Sequence, residues 1–202
     1  MKHALLAHKI AILRDKNTSV ALFRRTVHEI GLLLAYEASK DLPLQKIQVE
    51  TPVSSATAHT LARTTVLVPI LRAGLGLVDP FLTLLPDAQV GHLGMERDEN
   101  TLVPREYYCK LPNNLSECDV LVLDPMLATG GSADDALTLL KSRGAARIRF
   151  VCIIAAPEGI SLLSQKHPDV PVICAAVDEH LNKHGYIVPG LGDAGDRIFG
   201  TL

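Results

Sequence analysis

The stretch VLVLDPMLATGGS, Val120 to Ser132, constrains this chain most. A branched apolar run reads as a buried strand and ends on an acid, Asp124. A short turn reaches Thr129, Gly130, Gly131 and Ser132, and a helical pattern follows from Ala133 to Lys141. A strand that feeds a helix through small residues points its turn N–H groups and the open helix N-terminus at one place, which suits an anion. Glycines permit close backbone approach, and Thr129 and Ser132 add hydroxyl donors. An acid at the strand end repels phosphate, so Asp124 is expected to face sugar hydroxyls or a metal ion. Loop and acid together point to a phosphorylated sugar.

Periodicity sets the rest of the architecture. Val20, Phe23, Val27, Ile30 and Leu34 recur at three and four residues, predicting an amphipathic helix over 18–40, capped by Thr18 or Ser19. Strands are predicted at 45–53, 64–71, near 88–95, 104–110, 120–123, 147–155 and 170–177. Helices are predicted at 75–85 (interrupted near Pro80), 133–141 and 158–166. The 101–116 segment, with Pro104, Pro112 and an Asn pair, is read as an extended β arm. Alternating strands and helices predict an α/β fold: a mostly parallel sheet covered by helices on both faces, with an N-terminal helical extension. Ligands in such sheets bind beyond the carboxyl ends of the strands. Leu71-Arg72, Asp124 and Val177-Asp178 are therefore expected along one rim. No repeat or linker divides the sequence, so 1–202 is read as one domain.

Composition narrows the partners. A net charge of −2 gives no global pull toward nucleic acid or a membrane surface. Aromatics are 4% of the chain with no Trp, which disfavours a stacking platform for single strands. No apolar run approaches the ~18 residues of a membrane span. Cys109, Cys118, Cys152 and Cys174 form no C-x-x-C pair, consistent with a reducing, cytoplasmic setting.

Several side chains carry possible chemistry. Arg72 follows a buried strand at a helix start, where a cation opposes the dipole and a compensating anion is attractive. Its planar fork suits phosphate. Arg97, in HLGMERDENT, reads by itself as part of a charged surface turn. Asp134 and Asp135 read as first-turn partners of a helix dipole. His180 and His184 have i, i+4 spacing, but Leu181 stands where a zinc protease has Glu. The C-terminal run is glycine-rich with apolar anchors, including Ile187, Leu191 and Ile198. It is expected to wrap a small flat ligand with its backbone.

VLVLDPMLATGGS resembles the phosphoribosyl-diphosphate (PRPP) loop of type I phosphoribosyltransferases. Its form, with Pro125 directly after a single acid, is similar to that of the uracil phosphoribosyltransferase family. VPILRAGLG (Val68 to Gly76), APEGI (Ala156 to Ile160) and HGYIVPGLGDAGDRIFGT (His184 to Thr201) resemble the same family, in the same order.

The resemblance implies an enzyme of pyrimidine salvage that makes UMP and diphosphate from uracil and PRPP with Mg²⁺. It implies PRPP binding by Arg72, Arg97, Asp124, Pro125, Met126, Leu127, Ala128, Thr129, Gly130, Gly131, Ser132 and Asp193. Asp124 and Arg72 are the implied catalytic pair. It implies that uracil is read by backbone groups at Ile187, Gly192 and Ala194 beside Asp193, which also lies by the metal. No direct protein metal site is implied beyond Asp193, since PRPP brings most of the oxygens. A homodimer or homotetramer is implied, and GTP activates some members. This chain has Glu96 where the family pattern has Tyr before the arginine at 97. Two other readings share the loop: an RNA-binding regulator, disfavoured by 20 basic against 22 acidic residues, and a transferase for another base.

Overall fold

The computed structural model describes residues 3–97 and 104–201, without the side chains of 96, 97 and 104–106. In chain order the elements are α1 (Ala4–Arg14), α2 (Val20–Ser39), β1 (Leu44–Glu50), β2 (Ser55–Leu61), β3 (Thr65–Leu71), a 3₁₀ turn (Ala73–Leu77) and α3 (Val78–Leu84). There follow β4 (Gln89–Val90), β5 (His92–Arg97), β6 (Pro104–Lys110), β7 (Asp119–Leu123), β8 (Met126–Leu127), α4 (Gly131–Ser142) and β9 (Ile148–Ala155). The chain ends with α5 (Pro157–Lys166), β10 (Val172–Val177), β11 (His180–Leu181), β12 (Ile187–Val188) and α6 (Ala194–Phe199).

The main sheet runs β10-β9-β7-β3-β5-β6, with β4 beside β3 and β8 beside β9. Its pairs are parallel except β5–β6. The predicted α/β class with helices on both faces is what the structure shows. β3 and β7 are apolar along nearly their whole length because both faces are covered. Alternation sorts their side chains. Leu67, Leu121 and Leu123 pack with α1, α2, α3 and α6, while Val66, Val68, Val120 and Val122 pack with α4 and α5.

The connections diverge at the middle of the sheet. From β7 the chain passes through α4 to β9 and through α5 to β10, toward one edge. From β3 it passes through α3 to β5, toward the other. The gap beyond the carboxyl ends of β3 and β7 is thus a topological switch point, where a crevice forms.

Helix α2 buries Phe23, Val27, Ile30 and Leu34 as its spacing predicts, and the Ser19 hydroxyl accepts the Leu22 N–H at 3.4 Å as its cap. Other expectations need correction. Pro80 does not interrupt a helix. It lies in the first turn of α3, where no backbone donor is required, and the 75–85 segment divides earlier, at Leu77/Val78. Within 101–116, residues 104–110 form the predicted strand as β6 along the sheet edge, 115–117 form a 3₁₀ turn, and 101–103 lie outside the described residues. A separate β1–β2 hairpin, in register from Leu44↔Leu61 to Glu50↔Ser55, is largely exposed. Its turn begins at Thr51, so the strand expected over 45–53 stops at Glu50.

Gly31 sets the contact between α2 and α3. A Cβ there would stand 2.4 Å from Pro80 Cγ and 2.9 Å from Pro80 Cβ, and the Pro ring has little freedom to yield. Gly31→Ala is expected to lower stability by about 1–3 kcal/mol through overpacking, despite the better helix propensity of Ala. Urea unfolding of the two proteins measures it.

Candidate active site

Arg72 follows β3 and Asp124 follows β7, so the two sit on the two lips of the switch-point crevice. Three cavities meet there. One of about 90 Å³ is bounded by Asp124 and the segment Met126 to Ala133. One of about 230 Å³ includes Arg72, Met95, Asp124, Ser132 and Asp193. One of about 350 Å³ includes Asp124, Met126, Tyr186, Ile187, Gly192, Asp193 and Ala194. Asp124 borders all three, and Asp193 borders the larger two.

The smallest cavity is a cradle at the N-terminus of α4. Gly130 is the N-cap with φ +87°, a left-handed conformation that favours glycine. A Cβ there would also meet Leu162 Cδ2 at 2.9 Å. The helix starts at Gly131, two residues before the predicted start, so only Asp134 of the two acids lies in the first turn. Its carboxylate is held by Lys166 and, at 3.0 Å, by His167 Nε2. The acid turned away from the cradle thereby ties α4 to α5.

Pro125 does not border any of the three cavities. It is buried, and its carbonyl accepts N–H groups of Ile153 (2.9 Å) and Ile154 (3.1 Å), knitting the turn to β9. These bonds fix the backbone path of the turn. Arg97 ends β5 two residues past Met95, and its side chain lies outside the described residues.

The electrostatics centre on Asp124. Burial pushes its carboxyl up to about 7. The Met126 N–H, donating to Oδ1 at 3.3 Å, works against that rise, and the nearby Asp193 adds to it. The Asp193 carboxylate caps α6 by accepting the Asp196 N–H at 2.9 Å. Arg72 donates to Asp196 Oδ1 at 3.2 Å, so the anion that compensates its position is the protein's own. That guanidinium is half exposed, and such surface pairs contribute about 0–1 kcal/mol, so an arriving anion displaces Asp196 readily.

Two carboxylates near one crevice offer hard oxygen donors of the kind Mg²⁺ prefers. Among the described residues no cluster of three or more His, Cys, Asp or Glu could hold a metal. The site therefore fits a cation that brings most of its ligands with a phosphorylated substrate and water.

The C-terminal run, expected to wrap a flat ligand, lines this site. His184, Gly185 and Tyr186 border the largest cavity, and Gly195 borders both it and the Arg72 cavity. Asp178, at the end of β10, was expected on the rim but borders none of the three. It receives two bonds from Arg14 of α1 instead. Arg197 of α6 donates to the Leu191 carbonyl at 2.7 Å. Arg14 and Asp178 are 164 positions apart, and nothing local in the sequence announces that pair.

Residues 1–201 match the family model described as uracil phosphoribosyltransferase. The chain belongs to this family. It is 57% identical over 200 residues to the uracil phosphoribosyltransferase of Clostridium perfringens (strain SM101 / Type A), covering 98% of this chain and 96% of the relative. It is 56% identical over 202 residues to that of Lactiplantibacillus plantarum, covering 100% and 97%. The solved AQ2163 protein of Aquifex aeolicus superposes with a TM-score of 0.92 at 41% identity, over 98% of this chain and 96% of that one. Hypoxanthine phosphoribosyltransferase of Trypanosoma cruzi, complexed with IMP, shares the fold at a TM-score of 0.54 and 11% identity, over 78% and 76%. This member of the family presents Asp124, Arg72 and the glycine turn around one crevice. No helix among the described residues is long and apolar enough to cross a membrane.

The position of Asp124 has a cost that pH reveals. In the unfolded chain this carboxyl ionises in the ordinary range near pH 4, and in the folded protein it ionises near 7. The folded state therefore holds the proton more tightly. Its stability falls as pH rises between those values and then levels off, by an amount of order a few kcal/mol. Asp124→Asn removes the charge. The unliganded variant is expected to melt higher than the parent at pH 8, with the gap closing toward pH 4. Calorimetric melting across that range measures it, and a gap independent of pH contradicts the assignment.

Proposed function

We propose that this chain transfers the 5-phosphoribosyl group of PRPP to uracil, giving UMP and diphosphate. One observation carries the reading within the family. Three cavities suited to a phosphate, a diphosphate and a flat base meet at a single acid. The cradle of Met126 to Ser132 receives the 5′-phosphate at the start of α4. Arg72 exchanges Asp196 for the diphosphate and binds it with a planar fork. Arg97 is proposed to join it there. Asp124 orients the ribose hydroxyls and, once ionised, stabilises positive charge developing on the sugar. The C1–O bond to diphosphate breaks as the C1–N1 bond forms, and the uracil N1 proton leaves. No protein nucleophile is required, and catalysis is positioning and electrostatics. When bound, Mg²⁺ would supply positive charge that offsets the leaving diphosphate, and Asp124 and Asp193 are the carboxylates that would hold it. The reading includes a cytoplasmic setting and self-association as a dimer or tetramer, and it leaves activation by GTP open.

The phosphate cradle is tested at Gly131, the first residue of α4, whose helical backbone accepts a side chain. Gly131→Val is expected to fold and to lose PRPP affinity, because a β-branched group blocks the approach of phosphate to the turn. Calorimetric titration with PRPP is the measurement, and near-normal affinity removes the turn from the site.

Base choice is tested by diphosphate release with PRPP, Mg²⁺ and a panel of bases. Uracil offers O2 and O4 as acceptors and N3–H as a donor, whereas cytosine reverses the polarity at positions 3 and 4. Backbone groups at Ile187, Gly192 and Ala194 that match uracil leave two mismatches against cytosine. Each unpaired buried group costs about 1–3 kcal/mol. Uracil is therefore expected to exceed cytosine in kcat/KM by a factor on the order of 10³. Comparable values for the two bases overturn the uracil assignment.

A further inference from the structure

The loop that closes the cavity of about 350 Å³ is held from behind by groups outside that cavity, one of them, Arg14, from the other end of the chain. Asp178 follows β10, and its N–H donates to the Ala155 carbonyl at 2.8 Å, which fixes it to the sheet. Its carboxylate is 3% exposed. Arg14, at the end of α1, donates to Asp178 Oδ2 at 2.8 Å and to Oδ1 at 2.5 Å. The same guanidinium donates to the Gly190 carbonyl at 2.8 Å. Asp178 Oδ2 also accepts the Gly190 N–H at 2.9 Å. Both backbone polar groups of Gly190 are thus fastened by one ion pair.

Gly190 lies between Ile187 and Gly192, which both border the cavity assigned to the base. Its φ is +63°, and a Cβ there would stand 2.2 Å from the Ile187 carbonyl oxygen. The turn is therefore tight as well as tethered. A second arginine continues the tether. Arg197 donates to the Leu191 carbonyl, to the carbonyl of Leu13 and, at 2.6 Å, to the carbonyl of Asp15. Leu13 and Asp15 are the residues on either side of Arg14. The Arg197 guanidinium rests over the Phe23 ring, 4.3 Å from its centre. Arg14, Asp178 and Arg197 border none of the three cavities at the crevice.

We propose that the Arg14–Asp178 pair, backed by Arg197, is the positioning device that sets base selection by fixing the backbone of the Ile187–Gly192 loop. The inference rests on the reading of this cavity as the base site. The physical reason is that recognition by backbone has no side chain to tune. Discrimination requires fixed N–H and C=O groups, since a loop that shifts re-pairs with the wrong base. Two carbonyls in a row, Gly190 and Leu191, are turned from the base and bonded to guanidinium groups, so the loop cannot rotate them inward without losing charge-assisted bonds. A lysine at 14 keeps the charge but cannot serve two carboxylate oxygens and a carbonyl from one plane.

The test uses the full-length enzyme with Arg14→Lys and Asp178→Asn. For each, KM for uracil is expected to rise tenfold or more, with the PRPP dissociation constant within twofold of the parent. The uracil-to-cytosine ratio of kcat/KM is expected to fall at least tenfold. A separate reading needs no turnover. Amide hydrogen exchange of the unliganded protein is expected to quicken at least tenfold in the segment 187–192 and to stay unchanged in the segment 126–132. Retained base ratio and retained uracil KM in folded variants overturn the proposal. So does a parallel rise of uracil KM and PRPP dissociation constant with general loss of exchange protection, which is the mark of a merely structural pair. A parent protein that binds PRPP but does not use uracil defeats the functional reading instead, and the exchange result then still decides whether the tether holds the loop.

Discussion

Two neighbouring parallel strands whose chains leave in opposite directions cannot both be roofed by their own crossovers. β3 and β7 are such a pair, and the open ground beyond their carboxyl ends is the condition on which the site depends. Their apolar interiors are identical in kind, so nothing in the core distinguishes them. What differs is the first residue past each end: a cation, Arg72, on one and an acid, Asp124, on the other. The sheet holds these two at fixed separation without using either in its own hydrogen bonding, apart from the Asp124 N–H that donates to the Val151 carbonyl at 3.1 Å. Both side chains are left for the crevice.

The energetic consequence falls on Asp124. A carboxyl in this position is desolvated and lies near a second acid, Asp193, yet among the described residues it receives one backbone donor, from Met126. A structural acid would be paired, as Asp178 is with Arg14 and Asp134 is with Lys166. In Asp178 burial works to raise the carboxyl, but the Arg14 bonds and the Gly190 N–H together bring it below its ordinary range. Among the described residues Asp124 has no such partner, and it moves the other way. A carboxyl perturbed by burial in a crevice is the mark of a functional site. An acid and an anion cradle side by side ask for a ligand with hydroxyl or cationic character at one end and phosphate at the other.

What the sequence made legible follows from how far information travels along the chain. β3, β7 and β9 are buried on both faces, so their apolar runs are nearly continuous, and α2 and α4 carry a clear apolar stripe. These elements and the strand–turn–helix cradle are local patterns. The β1–β2 hairpin is largely exposed, and its second strand, SATAHTL, alternates only the small Ala56 and Ala58, a weak apolar signal. Helix α1 has apolar residues on several sides and no acidic first turn, and α6 is only six residues long. Pro80 misleads because its meaning depends on its place in the turn, which composition does not reveal. Arg72 and Asp124 were legible because each stands at a strand end. Arg14 and Asp178 were not paired in advance, because 164 positions separate them and each is ordinary in its own neighbourhood.

This contrast divides the site into two kinds of recognition. The phosphate cradle is built within one short segment, and its donors are fixed by the helix they begin. Its geometry travels with its sequence. The base loop has no such local scaffold. Its segment has a two-residue pairing, β11 with β12, and a turn around Asn182, and beyond Val188 it is held by the ends of α1, β10 and α6. A backbone carbonyl has the same chemistry whatever residue bears it, so a loop that reads a base through its backbone stores its selectivity in position alone. Position is held by Arg14, Asp178 and Arg197, which stand outside the cavity. Under the proposed reading, the residues that decide which base is accepted are then different from the residues that touch it, and altering the lining alone leaves the choice of base largely where it was.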